Sequence, residues 1–302
     1  LFALVWPPHA LGHTFGSIAP ATGPDELWRW NLEPWLLWLL LVSAVLYAAG
    51  IAHLWRQAGA ARGIRGWQAA AFACGWLALA AALLSPLDRW GVLLFSAHMV
   101  QHEVLMIVAA PLLVLGRPLA AWTWAFAPSY RRLAGRATRR PAFARAWNAV
   151  TQPLAAWALH ALALWVWHVP RLFDAALRSE ALHVLQHASF LASALLFWWA
   201  VLGSDPRFRG KSFALLYLFT TMLHTGALGA LLTLAPAPWY SAYAVSAGQF
   251  GLDALEDQQL GGLVMWVPAS AAYLLAALAM VARLLARAPV SPAIAAPPGP
   301  PR

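Results

Sequence analysis

Seven runs of about twenty mostly apolar residues succeed one another along the chain, and that is the length a helix needs to cross the hydrocarbon core of a bilayer. They lie near 35–55, 67–84, 91–115, 149–169, 181–202, 213–235 and 260–285, with Arg-, Pro- and Gly-containing connectors between them. Of the 302 residues, 62% are hydrophobic and only 10% charged, where a soluble domain carries about 25% charged residues. Lipid offers no partner to a bare peptide group, so spanning segments of this kind fold as helices. The expected fold is therefore all-α, an integral membrane bundle of seven transmembrane helices.

The net charge of +9 would suggest nucleic acid in a soluble chain; here its distribution reads as topology, and no nucleic acid is expected. With the amino terminus outside, 16 of the 20 Lys and Arg fall on inner segments, among them Arg131, Arg132, Arg136, Arg139 and Arg140. Nine of the eleven acids fall on outer ones. The positive-inside rule then places the amino terminus outside and the carboxy terminus in the cytoplasm. The chain divides into three regions: an outer N-terminal segment 1–34, a seven-helix domain 35–287, and a Pro/Ala-rich cytoplasmic tail 288–302 expected to be disordered. Leu1 to Trp6 is too short to span, and reads either as a signal-peptide remnant or as an interfacial segment.

Within the third run stands Phe95-Ser-Ala-His98-Met-Val-Gln-His102-Glu103. Ionisable groups are costly in hydrocarbon and mark a metal, a proton path or a substrate site. His98 and His102 are four apart and share a helix face; His183 and His187 repeat that spacing in the fifth run. At about 1.5 Å per residue, His98, His102, His187, His160 and His224 all fall roughly 10–16 Å below the outer surface. His183 and His168 lie nearer the rim, and Asp257 just above the seventh run. Two matched pairs plus His224 make a first shell for one or two ions, since imidazole suits copper, zinc and iron. His160 and His168, about 12 Å apart along a helix, cannot share one ion; one as ligand leaves the other a supporting or entry group. Met99, Met106, Met222 and Met265 add thioethers that favour cuprous over cupric copper. Cys74 is the single cysteine, so no Cys-x-x-Cys motif or internal disulfide can form.

Blander readings stand beside these. An intramembrane His also serves as hydrogen-bonding glue between helices, and the methionines serve as packing. His168 sits in a Trp-rich interfacial belt, and His9 and His13 read as loop residues. Glu103 points about 100° away from His102 and reads as a protonated interhelical contact or a proton group. The arginines of 117–145 read as topology determinants, with anionic membrane lipid as the further partner.

Ser96-Ala-His-Met-Val-Gln-His102, Pro111-Leu-Leu-Val-Leu-Gly116, His183-Val-Leu-Gln-His187 with Phe197-Trp-Trp199, and Asp257-Gln-Gln-Leu-Gly-Gly-Leu-Val-Met-Trp-Val-Pro268 together resemble the multi-span CtaG family of cytochrome c oxidase assembly proteins. The resemblance covers about Trp35 to Arg287. It implies a non-enzymatic metallochaperone of the bacterial inner membrane that supplies copper to the Cu-B centre of a haem–copper oxidase. The implied partners are the oxidase catalytic subunit and a periplasmic copper donor. The implied metal positions are His98, His102, His183 and His187, with His224 and Asp257 as weaker ones. Glu103 departs from the family pattern, in which an apolar residue comes after the second His. Competing readings are a b-type cytochrome holding haem between facing histidines, an intramembrane zinc hydrolase in which Asp257 or Glu103 activates water, and a chaperone that binds no metal.

Overall fold

The structure is a computed structural model that describes residues 27–203 and 211–286. His9, His13, most of the 1–34 segment and the 288–302 tail lie outside the described residues. Among the described residues the chain is all-helical, with no strand. Six helices are long and apolar enough to cross a membrane, and a seventh crossing arises if one bent pair counts as a single span.

The elements are α1 (Pro34–Ala58), α2 (Gly66–Leu84), α3 (Pro86–Leu93), α4 (Phe95–Glu103), a π-helical stretch (Val104–Ala109), α5 (Ala110–Leu115), α6 (Pro118–Ala125), α7 (Pro128–Thr138), α8 (Pro141–Thr151), α9 (Pro153–Trp167), α10 (Pro170–Arg178), α11 (Glu180–Leu202), α12 (Lys211–Thr233) and α13 (Ala254–Leu285). Seven of them open on a proline, Pro34, Pro86, Pro118, Pro128, Pro141, Pro153 and Pro170. A first-turn proline gives up no helical hydrogen bond and already holds a helical φ. The prolines therefore act as the starts of elements. Gln152-Pro153 also bends α8 against α9 by 61°, so 149–169 is not the single helix expected but the end of one helix and a second, Pro153–Trp167.

The third run, Phe95–Leu115, is the most enclosed of the candidate spans, with 61% of it buried; it packs on α2, α11 and α13. Two departures from a regular helix shape it. Leu94 is extended (φ −130°, ψ 128°) and separates α3 from α4, leaving the first N–H groups of α4 without intrahelical partners. Asp257 of α13 takes them: its carboxylate accepts from Phe95 N at 2.6 Å, Ser96 N at 3.1 Å and Ser96 Oγ at 2.5 Å. Further along, Ala110 N–H reaches back five residues to Leu105 O, and Pro111 has no N–H to give. The Met106 carbonyl thus freed accepts from the Trp198 indole at 2.8 Å.

The seventh run begins earlier than expected. α13 starts at Ala254, capped by Asp253, which accepts from Glu256 N at 2.7 Å while Glu256 accepts from Asp253 N at 2.9 Å. Asp257 and Gln258 are thus inside the helix, not above it. One turn on, a Cβ on Gly261 would run into the Phe95 ring, and one on Gly262 into Thr233. The bare Gly-Gly pair lets α13 wedge between α4 and α12. Outward faces carry Trp38, Leu39, Leu77, Leu162, Phe219, Leu223, Leu274 and Leu275, all exposed. Such surface is stable only against lipid: the chain is a multi-pass membrane protein.

Candidate metal centre

Imidazoles converge at one end of the bundle, where α4 meets α11. His98 and His187 ring centroids lie 5.5 Å apart, His98 and His183 5.3 Å, His183 and His187 4.2 Å. One ring nitrogen from each of His98, His183 and His187 falls within 4.8 Å of the others, and Nε2 of His98 is 3.4 Å from Nε2 of His187. His102 stands against this trio, 4.3 Å from His98 and 5.0 Å from His187, with neither ring nitrogen hydrogen-bonded. His168, at the end of α9, is 6.4 Å from His102. All five are buried. The i, i+4 spacing of each pair does what a helix dictates, presenting two rings from one face.

The backbone and a loop orient these rings. The 234–253 connection folds back over the cluster, burying Tyr240 and Tyr243. Tyr243 Oη donates to the Gly91 carbonyl at 2.8 Å and lies 3.0 Å from Nδ1 of His98. A phenol has a single proton, and Tyr243 commits it to a carbonyl that can only accept. Nδ1 of His98 therefore donates to Tyr243, and Nε2 keeps its lone pair for the cluster. Burial, and the Asp257 charge after it, push the Tyr243 phenol well above the usual range, so that proton stays. Tyr240 is pushed up likewise, by burial and then by Asp174, and donates to the His168 carbonyl at 3.0 Å. The His168 ring is fixed in the same sense, its Nδ1 donating to Leu164 O at 2.7 Å.

Neutral nitrogen donors in an apolar setting suit copper or zinc, and a partner on the far ring nitrogen that fixes the tautomer is the usual support of a ligating histidine. The described geometry divides the expected ligands. It gathers His98, His183 and His187, with His102 alongside. It does not bring His224 or Asp257 to them: His224 on α12 packs edge-on against Trp157 at 5.7 Å, and both Asp257 oxygens are spent on the start of α4. Met99, Met106 and Met265 belong to the apolar core, and Met222 packs against it. Glu103 is buried with Oε2 unpaired.

Tyr243 and Gln101 went unread in the sequence. Gln101 Nε2 donates to Ala82 O and to Asp88 Oδ1, both at 2.8 Å, tying α4 to α2 and α3. Its position between two histidines in an apolar run was the available signal. Tyr243, in a loop about 145 positions away from His98, offered none.

A protein of Mycobacterium bovis and one of Mycobacterium tuberculosis, both described only as uncharacterised, are each 27% identical to this chain over 264 residues, covering 82% of this chain and 38% of the relative. A protein of Mycobacterium leprae, also uncharacterised, is 25% identical over 261 residues, 78% of this chain and 36% of its own. The chain thus spans well under half the length of these relatives. No solved structure matches it. The model of one family, described as cytochrome c oxidase caa3 assembly factor (Caa3_CtaG), matches residues 45–287.

Proposed function

Because the chain belongs to the cytochrome c oxidase caa3 assembly factor family, a family of assembly factors and not of catalysts, we propose that it holds copper at His98, His183 and His187 and supplies it to the Cu-B centre of a haem–copper oxidase. The observation that carries this reading is the approach of three buried imidazole nitrogens to within 4.8 Å of one another, from two helices. A trigonal set of neutral nitrogens accommodates a cuprous ion and brings no anionic charge into the membrane. His102, unpaired and adjacent, is a fourth imidazole onto which the ion steps as it leaves.

Orientation comes from the arginines. α7 buries none of its residues, and with Arg139, Arg140 and, on α8, Arg145 it forms the basic stretch that the positive-inside rule puts in the cytoplasm. The histidine end of the bundle then faces the periplasm of a bacterial inner membrane, the side from which a periplasmic donor loads it. Release proceeds by ligand exchange: an imidazole of the oxidase catalytic subunit replaces one of the chaperone's, so the cation is never without ligands. His98 keeps its Nε2 directed at the ion throughout because Tyr243 holds the other nitrogen. The haem reading fares less well, since Phe173 packs on the His98 ring and His102 on both the His98 and His187 rings, where a macrocycle would have to lie.

The test is the oxidase itself. Membranes of cells carrying His98→Ala with His187→Ala are expected to contain assembled oxidase with haem but with Cu-B lowered by at least about tenfold, the loss typical of removing metal-site support. Full Cu-B occupancy in that variant would remove the copper role.

A further inference from the structure

A second group of imidazoles, separate from the trio, lies on α9 and α12. His160 is buried and stacks at 5.4 Å on Phe197. Its Nδ1 is 3.1 Å from Ser193 Oγ, and Ser193 donates its own proton to Phe190 O at 3.1 Å. The serine oxygen can then only accept from the ring. His160 is thereby held with Nδ1 protonated and Nε2 bare, the same form that Tyr243 imposes on His98. That bare Nε2 is buried and has no partner.

Across from it, α12 packs on α9 and carries His224, whose two ring nitrogens are both buried without a partner. Trp157, three residues before His160 and so on the same face of α9, meets the His224 ring edge-on at 5.7 Å. Trp157 thus bridges the His160 face of α9 to His224. Leaving buried nitrogens unpaired is costly, and packing glue would have paired them. Ser193 is six residues beyond His187 on α11, so this pair lies about 9 Å along the bundle axis from the trio.

We propose that His160 and His224 form a second cation station, binding a soft monovalent metal ion such as cuprous copper between two imidazole nitrogens, deeper in the bundle than the first. Two unpaired imidazole nitrogens on neighbouring helices suit a two-coordinate soft ion, whereas zinc and other divalent ions want more ligands. Ser193 is its positioning residue.

Anaerobic titration of the detergent-purified full chain with cuprous ion, in competition with a coloured cuprous chelator, counts the equivalents bound. The parent is expected to bind two. His160→Ala and His224→Ala, made separately, are each expected to bind one. The variant combining His98→Ala and His187→Ala is also expected to bind one, through the deep pair. Ser193→Ala keeps both imidazoles but loses the acceptor that fixes the tautomer; it is expected to keep two equivalents and weaken one by about 10-fold to 100-fold. A single equivalent in the parent overturns the second station, as do two equivalents retained in both deep variants, or an unaltered pair of affinities in Ser193→Ala. Loss confined to the deep variants, with a full count when His98 and His187 are gone, would uphold the second station and remove the first.

Discussion

Single side chains in this protein gain their roles from the group on their far side. His98 is a better donor than its spacing alone suggests because Tyr243 has given its proton to Gly91 and must accept one from the ring. Asp257 illustrates the reverse. Its residue type and place in the family motif suggested a ligand, yet three donors from Phe95 and Ser96 surround its carboxylate. Asp257→Asn retains the shape but loses charge and one acceptor, and should lower thermal stability by about 1–2 kcal/mol, the scale of a helix-cap loss. Copper equivalents should stay unchanged. A melt equal to the parent's, together with lost copper, would make it a ligand after all.

At the scale of elements, the π-helical stretch decides how the third span faces its neighbours. Widening the helix by one residue before Pro111 shifts the phase of the turns beyond it, and the freed Met106 carbonyl finds Trp198. Trp198→Phe keeps an aromatic ring but strands that carbonyl. It should cost about 1–3 kcal/mol, read as a lower melting temperature in detergent. The spans were legible because lipid demands length and apolarity, and α1, α2, α11 and α12 begin and end within a few residues of the expected limits. The break at Leu94, the 61° bend at Gln152-Pro153 and the early start of α13 were not. Each depends on a partner elsewhere in the chain or on a proline that reads equally well as a helix start.

For the whole molecule, the two His-x-x-x-His pairs could be read in advance because a helix turns four residues into one face. The separation of His224 from them could not, since equal depth in the membrane says nothing of which helices touch. α12 meets α9 and α13 rather than α4, and His224 goes with it. The bundle also presents two unlike ends, one holding the buried histidines under Tyr240 and Tyr243, the other the exposed arginines of α7. Membrane-impermeant thiol labelling of a Cys74→Ser background should reach Ala137→Cys from the cytoplasmic side only and Ser241→Cys from the outer side only. The opposite pattern would invert the orientation and leave the site without access to a periplasmic donor.

The most direct measurement is copper-edge X-ray absorption on the full chain loaded with one equivalent of cuprous ion. The expected spectrum shows nitrogen scatterers alone, with imidazole multiple scattering, at about 2.0 Å. In the variant combining His98→Ala and His187→Ala, that one-equivalent spectrum should lose the scatterers of the trio, leaving at most two nitrogens. A sulfur-dominated shell, or a spectrum identical in parent and variant, would contradict the account.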